Sequence, residues 1–97
     1  MIAETLHVPN PAQIQDMETG LQELRAELLS ALQRFDVWNS AHEGYGKIKE
    51  ELRELEEHIF TKEANRDIAG MRKEAIQLAC TAVRFAIEIC TEERARR

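Results

Sequence analysis

Apolar side chains recur at three- and four-residue steps in three stretches of this chain, the spacing that puts them on one side of an α-helix. Leu21, Leu24, Leu28, Ala31, Leu32 and Phe35 form the first stripe, and the Asn10-Pro11 step ahead of it has the form of an N-cap followed by proline at the first helical position. A first helix near 11–35 is predicted, with Gly20 as the point where it should kink or loosen. Ser40-Ala41-His42-Glu43 has the form of a capping box, so a second helix is expected over 41–60, with Tyr45, Ile48, Leu52, Leu55 and Ile59 turned inward and Gly44 and Gly46 softening its first turns. After a polar connector, a third helix is predicted near 65–92, its apolar face made by Ile68, Met71, Ala75, Leu78, Ala82, Ala86 and Ile89. Residues 1–10 read as an N-terminal lead and 93–97 as a basic tail. No internal repeat or low-complexity segment interrupts this plan.

Composition narrows the class. Two prolines and four glycines in 97 residues leave little room for a turn-rich sheet, and Ala, Leu, Glu, Arg, Lys and Gln dominate. The expected fold is all-α: one domain over 1–97, an antiparallel bundle of three main helices. A chain this short leaves its helices half bare unless they pair with another chain, so a homo-oligomer is expected. The net charge of −5 argues against nucleic acid or an anionic membrane surface as partner, despite Arg94, Arg96 and Arg97. No apolar run approaches the roughly 18 residues of a membrane span, and Met1 to Leu6 lack the basic and apolar regions of a leader. Cys80 and Cys90, ten residues apart on one helix and therefore about 15 Å apart, cannot bridge within the chain. Reduced thiols in a cytoplasmic protein are expected.

Chemistry enters with the glutamates. Glu50-Glu51-Leu52-Arg53-Glu54 reads E-E-x-x-E, and Glu74-Ala75-Ile76-Gln77 reads E-x-x-Q one helix later. Residues at i and i+3 share a helix face, so two such helices side by side aim four oxygen-bearing side chains at one point, as a Mg²⁺ site on helices requires. At about 100° per residue, Lys47, Glu51, Glu54 and His58 fall on one flank of the second helix, and Glu74, Gln77 and Thr81 on the matching flank of the third, with Asp67 and Glu88 on the same side. A half-buried acidic groove between the two helices is the expectation, against the plain alternative of solvated glutamates.

The remaining polar residues are less specific. His7, His42 and His58 have no zinc-binding spacing. Trp38 and Tyr45, flanking the entry to the second helix, offer a surface for a nucleobase, although a lone Trp in a small helical domain is more often core. Lys47, Lys73 and Arg84 could meet phosphates or pair with helical neighbours. There is no glycine-rich phosphate loop, so any phosphate would be held through metal and side chains.

From Trp38 to Ile89 the chain resembles the MazG-like all-α nucleoside triphosphate pyrophosphohydrolases, whose motif is E-x-x-E on one helix and E-x-x-D on the next. Glu50–Leu55 matches the first part, and Lys73-Glu74-Ala75-Ile76-Gln77-Leu78 stands where the second is expected. The resemblance implies Mg²⁺-dependent (or Mn²⁺-dependent) hydrolysis of a nucleoside triphosphate to a monophosphate and pyrophosphate by a dimer or tetramer. It makes Glu51, Glu54 and Glu74 metal ligands together with Gln77, and assigns Glu50 to orienting the attacking water. Lys47, Trp38 and Arg84 are the expected substrate-binding residues. Gln77 stands where the family has Asp; its amide oxygen can ligate Mg²⁺ but brings one less negative charge. The alternative is a non-catalytic helical homo-oligomer that binds nucleotide or a protein partner.

Overall fold

A computed structural model describes residues 5–97; the first four residues of the predicted lead, and with them most of the segment read for a leader, lie outside the described residues. Three main helices make the fold: α1 (Pro11–Arg34), α2 (Ala41–Ile59) and α3 (Ile68–Arg84), with no strand among the described residues. No helix there is long and apolar enough to cross a membrane.

The caps explain the boundaries. Asn10 accepts the Gln13 backbone N–H at 2.8 Å while the Gln13 side chain accepts the Asn10 N–H at 2.9 Å, a reciprocal box that fixes the start of α1. Ser40 accepts the Glu43 N–H, but the Glu43 carboxylate reaches one residue further back, to the Asn39 N–H at 3.2 Å. α3 begins later than predicted because Asp67 is its N-cap, accepting from the Gly70 N–H, with a short 3₁₀ turn over Glu63–Asn65 filling the connector. Asp67 is therefore committed to a cap and is not a spare acid for the groove. α1 runs through Gly20 without a break, correcting the expected kink.

The end of α3 also departs from expectation. The α-helical ladder stops at Arg84 and gives way to a π-helical turn over Phe85–Ile89, closed by the Cys90 N–H on the Phe85 carbonyl. A π turn inserts a residue into the helical repeat and rotates everything after it, which a 3.6-residue projection cannot anticipate. Glu88 and Ile89 are consequently turned inside.

Which ends meet fixes the topology. Gly44, at the start of α2, lies against Phe85 at the end of α3, and His58 at the end of α2 lies against Gly70 at the start of α3, so these helices are antiparallel as predicted. Glu23 of α1 meets Arg72, and Asp36 just beyond α1 meets Arg84, so α1 runs parallel to α3. α1 and α2 both pack on α3 and not on each other. Burial on α3 is centred on Cys80 and Arg84, one turn apart on the same face, whereas Ala75, Ala82 and Ala86 of the predicted stripe are exposed. On α2, Ile48 and Leu55 turn inward as expected, but Tyr45, Leu52 and Ile59 are exposed because only one helix covers α2.

The result is an open V with a thin core, in which Ala31, Trp38, Cys80 and Ile89 are the buried apolar residues. The accessible surface is 7749 Å², against about 5700 Å² for a compact monomer of this mass. The radius of gyration is 16.7 Å, against about 12.5 Å for a compact chain of this length. Ile14, Met17 and Leu21 form a half-exposed apolar stripe on the first half of α1.

Candidate metal centre

The antiparallel pairing of α2 and α3 brings Glu51 and Glu54 beside Glu74. One carboxylate oxygen from each lies within 4.8 Å of the others, and all three side chains are half-buried. The i,i+3 spacing on α2 does this directly: both acids point at α3, and Glu74 meets them one third of the way along its helix. Glu51 Oε2 and Glu74 Oε2 are buried with no hydrogen-bond partner among the described residues. Buried polar atoms in folded proteins are nearly always paired, so two orphaned acceptors in one cluster mark a place for a missing donor or cation.

The electrostatics agree with the geometry. Burial, followed by the nearby Glu54, then Glu74 and Glu50, pushes Glu51 from the usual 4.5 up to about 7. Glu74 is also raised, by burial first and then by Glu54, with His58 and Lys73 pulling the other way. Without a cation, the cluster relieves its repulsion by holding a proton.

Beside the cluster lies a cleft of about 520 Å³. α3 forms its floor through Gln77, Cys80 and Thr81; α1 and α2, which do not touch, form its walls; and the 35–39 linker closes one end. Glu51 lines the α2 wall, so it belongs to both the cluster and the cleft. Gln77, one turn beyond Glu74, is half-buried in the same cleft.

Other expected site residues are placed differently. Glu50 is not brought to the cluster: it lies on the outer side of α2 among Lys49, Arg53 and Glu56, and pairs with Lys47 at 3.5 Å. The reason is the helical step itself, since Glu50 precedes Glu51 by about 100°. Lys47 does line the cleft, but its ammonium is engaged with Glu50. Trp38 and Arg84 border the cleft, the Trp38 ring and backbone N–H and the Arg84 guanidinium being engaged within the fold. Arg84 is 5% exposed, lies 4.1 Å over the Trp38 ring, donates to Glu88 at 2.6 and 3.0 Å, and donates to the Asp36 carbonyl at 3.0 Å. Glu88 in turn accepts the Trp38 backbone N–H at 2.9 Å. Burial acts to raise Glu88, but Arg84 and the Trp38 N–H outweigh it and hold the carboxyl below its usual range. Arg84 and Glu88 thus form a buried clamp on the linker, so the structure places the Arg84 guanidinium and the Trp38 ring in internal contacts at the edge of the cleft.

Sequence reasoning missed this clamp, whose one signal was the i,i+4 spacing of Arg84 and Glu88, and it missed Arg34, which lines the cleft from the last turn of α1. The basic tail is partly structural as well: Arg94 donates to the Glu88 carbonyl at 3.0 Å, and Arg97 to the Asn39 carbonyl at 3.3 Å.

Comparison of the chain with protein-family models, with curated proteins and with solved structures returns no match. The candidate site stands on its own geometry.

Proposed function

We propose that this chain is a Mg²⁺-dependent nucleoside triphosphate pyrophosphohydrolase that works as a homo-oligomer, cleaving the α,β-phosphate bond to give a monophosphate and pyrophosphate. The observation that carries the reading is the Glu51–Glu54–Glu74 cluster with its two orphaned oxygens beside a cleft. The donor set is all oxygen, with no histidine or thiolate within it, which suits a hard cation such as Mg²⁺ or Mn²⁺ rather than zinc. Glu51, Glu54 and Glu74 would hold the cation, with the Gln77 amide oxygen available from the cleft. When bound, the cation neutralises phosphate charge and lowers the pKa of its water. Of the four acids in the motif, Glu50 is the one that stands away from this chemistry.

Oligomerisation is supported by the uncovered surface. An excess of about 2000 Å² on each of two copies falls in the range that obligate dimers bury. The free stripe Ile14, Met17, Leu21 supplies the apolar character such an interface needs. Both cysteines are free, which fits a reducing, cytoplasmic setting.

Gln77 favours a second reading, a member that binds nucleotide without turning it over, because the amide lacks the charge of a carboxylate. Melting curves with millimolar Mg²⁺, followed by a nucleoside triphosphate panel with pyrophosphate detection, separate the two: a metal shift with product is expected, a metal shift without product gives the binding module, and no shift at all removes both. Sedimentation at micromolar concentration should show a dimer or tetramer, and a stable monomer would contradict the assembly.

A further inference from the structure

The cleft holds three cationic side chains, of which one is buried and locked and one makes only a long, exposed ion pair. Arg84 is locked to Glu88 and the Asp36 carbonyl, and Lys47 pairs with Glu50. Arg34 makes no ion pair or hydrogen bond among the described residues, although it is exposed and lines the cleft from the α1 wall, opposite Glu51 on the α2 wall. Its guanidinium lies 5.3 Å over the Phe35 ring. Stacking on an aromatic face restrains the planar guanidinium while leaving its N–H edge free, the fork that matches phosphate oxygens. Glu27, Asp36, Glu43 and Glu51 also line the cleft, so a polyanion entering it meets net negative walls except at a metal-loaded cluster, at Arg34 and at the exposed, loosely paired Lys47.

We propose that Arg34 is a substrate-binding residue that holds the phosphate chain across the cleft from Glu51. This rests on the pyrophosphohydrolase reading and deepens it, since it assigns the first helix, outside the acidic motif, a direct part in the site. A bound triphosphate would bridge α1 and α2, which otherwise do not touch.

The test uses the full chain as wild type, Arg34→Gln and Arg34→Lys, with Mg²⁺ alone and then inorganic tripolyphosphate plus Mg²⁺ as probes, read by calorimetry and melting. The expected result is an unchanged response to Mg²⁺ alone in all three, about tenfold or greater weakening of tripolyphosphate by Arg34→Gln, as losing one charge-assisted fork implies, and only partial recovery in Arg34→Lys, which keeps the charge but not the fork. Tripolyphosphate binding by Arg34→Gln within about twofold of wild type would overturn the role of Arg34 while leaving the metal site standing. Equal losses in both variants together with lowered melting temperatures would assign Arg34 to structure and overturn the proposal. A wild type that responds to neither probe would remove the parent reading and this one with it.

Discussion

Glu51 on α2 and Glu74 on α3 each bury an Oε2 atom that has no hydrogen-bond partner among the described residues unless a carboxyl of the cluster is protonated, and their carboxylates meet within 4.8 Å together with that of Glu54. Like charges at this separation in a half-buried site destabilise the fold unless a proton or a cation joins them. The cluster is therefore a local cost to the metal-free protein, and the cost is concentrated in the residues proposed to do the chemistry.

The pH dependence follows from that cost. Glu51 is raised from 4.5 to about 7 in the folded chain, so between those values the folded state keeps a proton that the unfolded state has lost. The stability this contributes is fully present below about pH 4.5, declines as pH rises to about 7 and is gone above it; Glu74 acts in the same direction. Glu88, lowered by Arg84, works oppositely, adding stability above its unfolded value that is lost on acidification. Glu51→Gln should remove the first effect, melting roughly 3–6 °C above wild type at pH 8 without metal and converging with it near pH 4.5, while losing the Mg²⁺ response. Melting curves of the two proteins that stay parallel across pH would contradict this.

The Arg84–Glu88 pair predicts a different behaviour. Both side chains are nearly fully buried, so Glu88→Ala strands the guanidinium, and a loss of about 3–5 kcal/mol is expected in denaturant unfolding. The Trp38 N–H loses its acceptor in the same variant. A fold left intact with only weakened nucleotide binding would return Arg84 to the substrate site.

Two glycines make a matched pair. A Cβ on Gly44 would lie 2.7 Å from Phe85 Cδ2 and 3.2 Å from Trp38 Cε3, whereas one on Gly20 meets nothing within 4 Å. Gly44→Ala should cost about 1–3 kcal/mol through overpacking, and Gly20→Ala should gain about 0.5–1 kcal/mol through helix propensity. Equal effects at the two positions would contradict the close approach of α2 to the end of α3.

How much of this was legible in the sequence depends on the range of the forces involved. The caps at Asn10 and Ser40 and the convergence of Glu51, Glu54 and Glu74 are set by local spacing and by an antiparallel hairpin of helices, and the periodic pattern contains both. The fate of Arg84, Trp38 and Glu88 depends on a π turn and on a linker packed 48 to 50 residues away in sequence, neither of which leaves a periodic trace. Tyr45, Leu52 and Ile59 were assigned inward because an apolar stripe says that a face is to be covered, not that this chain alone covers it. Arg34 carried no signal, since arginine in the last turn of a helix is ordinary dipole complementation.

Gln77 gives a gain-of-function prediction. The residue lines the cleft one turn beyond Glu74, so Gln77→Asp adds a negative ligand where three carboxylates already converge. Mg²⁺ affinity and pyrophosphate release should rise by about tenfold, equivalent to about 1.4 kcal/mol. A solvated acidic face would respond only with a slight loss of stability from added repulsion.

The most direct measurement is ³¹P spectroscopy of the products formed from a panel of nucleoside triphosphates with Mg²⁺, using wild type and Glu54→Gln. The account predicts equal amounts of pyrophosphate and nucleoside monophosphate from at least one triphosphate, absent when Mg²⁺ is chelated and absent in Glu54→Gln. Orthophosphate and nucleoside diphosphate as products, or no turnover of any triphosphate by a wild-type protein saturated with Mg²⁺, would contradict it.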